Sequence, residues 1–249
     1  NNLVDLLRDP HSIQLGPILH DPDDPDPDRR FKIAFETDKY HQRLAVAYSP
    51  DGLRWTESPR NPVVKDAFEQ SGLVKFNGCY YTSGQGGPPR PDARDMVTYM
   101  SYDFETWSDA SARSFQRVAQ GSQEADGREY VHIGASYWNR GNVIIGVYGM
   151  WHGHESEDRR LITMDLGLIV SSDALHFKEP VPDFRFVSCQ EEPGPVKSII
   201  MGPYRATDGP YLAQGQGFEN VGEKTYFWYE VWTQGKVRLA TWTRDRLGF

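Results

Sequence analysis

The sequence predicts an all-β fold of the β-propeller type, and the first observation behind this prediction is a repeated seven-residue pattern. A hydroxyl residue, any residue, Asp, three residues of any kind and an aromatic residue occur in this order four times. The copies begin at Ser49, Ser101, Ser171 and Thr243. A short Asp after a hydroxyl residue accepts backbone N–H groups and holds a tight turn, and the aromatic residue then starts a strand. The pattern therefore predicts turns and not catalytic groups.

The second observation is that similar predicted strands precede every copy. Two runs rich in β-branched and aromatic residues come before each turn, as is typical of strands. These runs lie at residues 31–35 and 44–48, 73–81 and 96–100, 143–148 and 166–170, and 225–229 and 237–241. The copies are 52, 70 and 72 residues apart. Four-stranded units with such a period are typical of propeller blades, which bury both faces only by stacking on neighbours.

The remaining elements follow from turn and proline chemistry. Residues 1–30 contain one short predicted strand, around 13–19, and then five aspartates interleaved with prolines at 20–28. Proline blocks ladder pairing, so this run predicts a rigid exposed loop that leads into a strand at Arg30 or Phe31. Asn77-Gly78 predicts a two-residue hairpin turn. Another turn is expected at 139–142, an inserted loop at 151–160 and an extra strand at 185–188.

Composition limits the partners that the chain can have. Residues 1–249 are long enough for one propeller domain, and the formal net charge of -8 argues against nucleic acid and anionic membranes, which attract basic surfaces. The sequence has no apolar run that could span a bilayer and no signal-peptide pattern at its start. Its abrupt beginning at Asn1 suggests a portion of a longer polypeptide. Cys79 and Cys189 form neither a disulfide framework nor a zinc signature.

The repeats, the His20-Asp21-Pro22 entry and the acidic residues that precede strands resemble the five-bladed β-propeller glycoside hydrolases. This superfamily includes invertases, levansucrases, arabinanases and β-xylosidases, and the phrases around residues 26–32 and 48–55 are similar to those of a bacterial branch of it. The resemblance implies five blades of four antiparallel strands. Only four units are visible, so a fifth blade is expected from residues 1–19, from 178–217 or from sequence beyond this chain. No complete family signature is present.

The resemblance also implies that carboxylates from different blades converge at one mouth of the central channel. One carboxyl acts as an acid, and another as a nucleophile or base. Asp21 is the candidate base or nucleophile, and Glu69 is the candidate modulator of its partners' pKa values. Glu129 is the candidate acid and Glu219 its rival. For each residue the alternative is an ordinary acidic group of a loop, turn or strand start.

Neighbours of these carboxylates are the candidate sugar-binding groups. They are His20, His132, Gln214, Gln216 and Trp151. No cofactor is predicted: the pair His152 and His154 is a weak metal signal, and although some of the resembling enzymes hold a cation in the channel, nothing here specifies one.

The sequence thus predicts a glycoside hydrolase with a carbohydrate substrate. One alternative of a different class is a non-catalytic carbohydrate-binding propeller. Another is a sialidase-like propeller, which needs an arginine triad and a tyrosine nucleophile that this sequence does not display clearly.

Overall fold

A computed structural model describes most of the chain. The described residues are Leu6 and the ranges 13–86, 95–117, 129–153, 162–191, 211–231 and 236–247, and all structural statements below concern them. His154, half of the possible metal pair, lies outside these ranges, as does most of the predicted loop at 151–160. No helix in the described part is long and apolar enough to cross a membrane.

The described residues form four antiparallel sheets, each built from consecutive strands. The first contains β1 (Ile13–His20), β2 (Phe31–Thr37), β3 (Arg43–Ser49) and β4 (Thr56–Glu57). The second contains β5 (Phe68–Phe76), β6 (Cys79–Gly86), β7 (Met96–Ser101) and β8 (Ala112–Phe115). The third contains β9 (Glu129–Asn139), β10 (Ile144–His152), β11 (Thr163–Ser171) and β12 (Arg185–Val187). The fourth contains β13 (Leu212–Val221), β14 (Lys224–Val231) and β15 (Lys236–Thr243). The protein is therefore an all-β propeller of four-stranded antiparallel blades, with three described strands in the last sheet.

The number of blades differs from the prediction of five, because the described residues form four. Residues 13–20 do not begin another blade but form the innermost strand of the first sheet. Residues 185–187 form β12 at the outer edge of the third sheet, which confirms the extra strand predicted there. The two segments expected to supply a fifth blade therefore complete other blades where they are described.

The first strands of the four sheets adjoin one another around the centre and run in one direction. The side chain of Gln70 lies against Gly16, and Lys75, five residues further along β5, binds Asp21, which is five residues after Gly16 and directly follows β1. In both contacts the two residues are the same number of positions apart in the sequence. The strands β1 and β5 are therefore parallel. The starts of these strands therefore form one mouth of the propeller, called the entry mouth below, and their ends form the opposite exit mouth.

Contacts between β9 and β13 show in the same way that the innermost strands of the third and fourth sheets are parallel. Gln214 of β13 donates to the carbonyl of Gly134 on β9, and four residues later on both strands Phe218 stacks on Trp138 with ring centroids 5.0 Å apart. A link from Asn139 to the carbonyl of Lys75 joins the ends of β9 and β5. The entry mouth thus collects the starts of β1, β5, β9 and β13.

Three copies of the repeated pattern form the same turn. In the second copy, Asp103 Oδ1 accepts the backbone N–H groups of Glu105 and Thr106 at 2.8 and 2.7 Å, and Ser101 Oγ accepts that of Phe104 at 2.9 Å. Equivalent bonds occur after Ser49 and Ser171. The fourth residue has a positive φ in all three, 74° at Gly52 and 64° at Phe104 and Ala174.

The fourth copy is a different structure. Asp245 itself has the positive φ of 59°, and its backbone N–H donates to Thr225 Oγ1. Its carboxylate binds Asn220 and Arg140 and does not hold the turn that follows. The predicted equivalence of all four copies is therefore wrong for this one, because a cross-strand threonine replaces the local hydroxyl partner.

Side-chain packing between neighbouring sheets forms the core. Asn77-Gly78 makes the predicted hairpin turn with positive φ at both residues, which positions β6 against β5. Large apolar residues from facing sheets fill the seams, among them Phe104, Tyr148, Met150 and Phe227. One face of the last sheet is not covered in this way by the described residues, and its apolar residues are exposed. These are Val221, Trp228, Val237 and Leu239.

Candidate active site

The innermost strands all bulge at the same height in the channel. The pairing register shifts between Leu15 and Ile18, between Gln70 and Gly72, between His132 and Ala135, and between Gln214 and Phe218. Glycines stand at this height because the strands approach too closely for side chains: a Cβ on Gly72 would lie 2.3 Å from the carbonyl oxygen of Ala135. Bulges next to a channel re-aim the residues around them. This ring of bulges separates the entry mouth from the exit mouth.

Two glutamates lie on the entry side of this ring, near enough for the charge of one to act on the other. Glu36 lies on β2, in register with Gln14, and Glu69 is the second residue of β5. The Glu36 carboxylate accepts the backbone N–H of Gln70, so it reaches from the first sheet to the second. Burial and the charge of Glu69 raise the pKa of Glu36 to about 7, against the opposing effect of the Gln70 N–H. Glu36 is therefore a carboxyl that is largely protonated below about pH 7 and that feels the charge of Glu69.

Amide side chains line the channel below this pair. Gln214 donates to the carbonyl groups of Gly134 and His132, at 2.9 and 3.2 Å, and Gln70 donates to the carbonyl of Gly72 at 3.3 Å. The side-chain oxygens of Gln70 and Gln214 accept no hydrogen bond from the described residues. No cluster of three or more His, Cys, Asp or Glu residues with metal-binding geometry occurs in the described ranges.

The third sheet contributes aromatic packing to the same mouth. His132 stacks on Trp151 with ring centroids 5.6 Å apart, and Trp151 meets the edge of Tyr211. Both His132 and Trp151 are buried. Trp151 thus packs between strands and has no open face on which a sugar ring could stack. Its burial supports β9 and β13 at the height of Glu69.

The third sheet also contains a buried carboxylate, Asp165 on β11, which the sequence analysis did not identify. Asp165 accepts hydrogen bonds from His152 at 2.9 Å, from Arg185 at 3.1 Å and from the backbone N–H of Cys189 at 2.6 Å. Burial alone would raise the pKa of Asp165, but the bonds from His152 and Cys189 lower it to about 2. Burial, and next the proximity of Asp165, raise the pKa of the Cys189 thiol to about 12. Asp165 therefore anchors β12 and the turn that follows it to the third sheet.

The predicted carboxylates divide between the two mouths. Glu69 and the start of β9 at Glu129 are at the entry mouth, and the Glu129 side chain is outside the described part. Asp21 follows the last residue of β1 and is therefore at the exit mouth, where His20 stacks on Phe31. Glu219 is exposed near the end of β13, also on the exit side.

Asp21 was expected at the start of an inner strand, and this placement is wrong. The segment before it forms the inner strand, so Asp21 lies in the turn between β1 and β2. Of the two amides predicted to bind sugar, Gln214 lies at the bulge and points into the packing between β9 and β13. The side chain of Gln216 is outside the described part.

The shifted pKa of Glu36 predicts a pH-dependent stability. The folded state raises this pKa from about 4.5 to about 7, so the folded state holds a proton that the unfolded state releases in this window. Stability contributed by this group is complete below about pH 4.5 and falls as the pH rises through 7, by on the order of 3 kcal/mol. We expect urea unfolding of Glu36→Gln to be less pH-dependent than that of the unaltered protein between pH 5 and 8. Parallel curves for the two proteins would contradict the assignment.

Comparisons with known proteins identify the fold. No family model and no curated protein matches this chain. Among solved structures, one from work on the GH130 family of mannoside phosphorylases, which contains glycoside hydrolases that target β-1,2 mannosidic linkages in Candida mannan, is similar with a TM-score of 0.55 at 17% identity. A glycosyl hydrolase from Bacteroides ovatus is similar with a TM-score of 0.52 at 18% identity.

Coverage is unequal in both of these comparisons. The alignments cover 87% of this chain and 62% of each solved chain, so the chain spans less than two thirds of the length of either structure. At this identity the likeness shows a shared propeller fold. The structural neighbours are glycoside hydrolases or mannoside phosphorylases. The substrates of those proteins are not assigned to this chain by the likeness.

Proposed function

We propose that this protein cleaves glycosidic bonds at the entry mouth, with Glu36 and Glu69 as the reacting carboxyl groups. The observation that carries the proposal is the pair itself: two glutamates from different sheets, one with a pKa of about 7, beside the central channel. Hydrolysis of a glycoside needs one protonated and one ionised carboxyl. Environments that separate the pKa values of two neighbouring groups are how enzymes assign these roles.

Glu36 is the acid in this mechanism. Its proton passes to the glycosidic oxygen as the bond from that oxygen to the anomeric carbon breaks, and Glu36 becomes a carboxylate. Glu69 either attacks the anomeric carbon or takes a proton from the water that does so. Glu129, at the start of β9, is the candidate third carboxyl of this mouth. The similar folds of the glycoside hydrolases and phosphorylases named above support this choice of chemistry.

The test is an activity screen of the unaltered protein on aryl glycosides and polysaccharides, run with and without inorganic phosphate because one neighbour belongs to a family of phosphorylases. We expect release of the aryl group from at least one glycoside. The double variant Glu36→Gln/Glu69→Gln is the negative control, because it keeps the shape of both side chains and removes both carboxyls. The exit-side variant Glu219→Gln is the matched positive control.

The outcomes separate the proposal from its alternatives. Activity that persists in the double variant would show that other groups do the chemistry. Activity that requires phosphate would assign phosphorolysis in place of hydrolysis. Saccharide binding with no cleavage under any condition would favour the non-catalytic carbohydrate-binding propeller.

A further inference from the structure

A second concave surface lies away from both mouths, between the third and fourth sheets. It is a cleft of about 700 Å³ bordered by β12 and the turn at 189–191 on one side and by β14 and β15 on the other. No residue of an innermost strand lines it. The cleft is therefore separate from the carboxyl pair, and its volume falls within the roughly 300–1,000 Å³ of small-molecule sites.

One side of the cleft is formed by β12, the fourth strand of the third sheet. Asp165 fixes this fourth strand, β12, through Arg185 and fixes the following turn through the backbone N–H of Cys189. On the other side, the described strands of the last sheet end at β15. Rings on both walls are half-buried.

Aromatic side chains form the walls in a fixed arrangement. Phe186 meets the edge of Trp242 with ring centroids 5.2 Å apart and the edge of Phe227 at 6.2 Å. Phe184 and Tyr229 line the same cleft. Trp242 is half-buried, so part of its ring is open to the cleft. Such pre-positioned rings bind a flat apolar surface with little loss of side-chain freedom.

Polar and charged groups line the cleft beside these rings. Glu191 and Arg246 line it and are exposed, and neither has an ion-pair partner among the described residues. Thr241 and Thr243 of β15 also border the cleft, but strand alternation places their side chains on the face of the sheet opposite to Trp242. A lipid chain would not use these charged groups, whereas a pyranose has an apolar C–H face for the rings and hydroxyl groups for the side chains of Glu191 and Arg246. The net charge of -8 also disfavours a nucleic acid.

We propose that this cleft is a second carbohydrate-binding site, which holds a short oligosaccharide segment against Trp242. It goes beyond the cleavage proposed above and does not depend on it, because no lining residue is shared with the entry mouth. In a protein that also cleaves polysaccharides, such a site would hold the polymer while the mouth acts on another part of it.

The test is isothermal titration of mannotriose, xylotriose and galactotriose into the double variant Glu36→Gln/Glu69→Gln, in which cleavage cannot consume the probe. We expect at least one trisaccharide to bind with a Kd of about 1 mM or tighter. Adding Trp242→Ala should weaken this binding at least about tenfold. The matched control is Trp228→Ala, which removes the same ring from the opposite face of the same sheet and should leave the affinity unchanged.

A second variant keeps the test informative if Trp242→Ala impairs folding. Glu191→Gln combined with Arg246→Ala changes two exposed side chains and should weaken the same binding about fivefold or more without lowering the unfolding midpoint. The proposal is overturned if none of the three trisaccharides binds, or if binding survives all substitutions in the cleft. Binding in the cleft without any glycosidase activity would sustain this site and reject the catalytic proposal alone.

Discussion

A Glu36→Gln variant is expected to lose about 10²- to 10⁴-fold in kcat/KM on glycosides with poor leaving groups, and far less on dinitrophenyl glycosides. A general acid matters only when the departing oxygen needs a proton, and a dinitrophenolate leaves without one. The amide of glutamine keeps the size of Glu36 but cannot donate a proton in this way. The measurement is kcat/KM across aryl glycosides of increasing phenol pKa, for a sugar identified by the activity screen.

Two further variants make this result specific to Glu36. Glu69→Gln should lose activity on all leaving groups, because the nucleophile or base is needed in every case. Glu219→Gln, at the exit mouth, should match the unaltered protein throughout. An equal loss across the whole series in Glu36→Gln would show that this residue does not act as the acid.

The parts of the fold that the sequence predicted are those with local causes. Asn77-Gly78 makes a hairpin because both residues accept positive φ, and Ser101 with Asp103 holds its turn through bonds within six residues of chain. Alternating apolar runs between these turns then form strands, and strands of such units stack as blades. The fourth copy fails for the converse reason, since Thr225 on another strand satisfies Asp245.

The candidate site was only partly predictable because its chemistry depends on contacts between blades. Glu36 lies within β2 with no motif around it, and its pKa shift comes from burial and from residues of β5 more than thirty positions away. The one available signal was an acidic residue in an otherwise buried strand. Glu69 could be proposed as a candidate because its position at a strand start is visible in the sequence.

The sequence also did not predict where each residue lies along the axis of the channel, and hence at which mouth. Gly16 and Pro17 interrupt the strand pattern of residues 13–20. This segment was therefore predicted to precede the first blade and not to form its innermost strand. For this reason Asp21 was predicted to lie at the entry mouth, whereas it lies at the exit mouth. Parallel offsets between Gly16 and Gln70 and between Asp21 and Lys75 correct this prediction.

Asp21 lies at the centre of a buried network of charges in the exit mouth. It is 3% exposed and binds Lys75 Nζ at 2.8 Å, Lys32 Nζ at 3.3 Å and the hydroxyl group of Tyr80 at 2.6 Å. Lys32 is completely buried and also pairs with Asp24 at 2.6 Å. Burial alone would raise the pKa of Asp21, but the bonds from Lys75 and Tyr80 and the charge of Lys32 hold it below its usual value. Asp21 thus neutralises Lys32, which water does not reach, together with the partly exposed Lys75.

An Asp21→Ala variant is expected to lose about 3–5 kcal/mol of unfolding free energy, because it leaves the charge of Lys32 buried with Asp24 as its one remaining carboxylate. Urea unfolding at pH 7 measures this loss. The control is Asp23→Ala in the same loop, an exposed residue whose replacement should change stability by no more than about 0.5 kcal/mol.

The pH dependence of the same variant tests the cause. A lowered pKa stabilises the folded state above the unfolded value of about 4 and loses this effect as the pH falls through the folded value, so the difference between Asp21→Ala and the unaltered protein should shrink toward pH 3. Glycosidase activity per folded molecule should be unchanged in Asp21→Ala if the residue serves the fold. A stable but inactive variant would instead restore Asp21 as a reacting carboxyl and move the active site to the exit mouth.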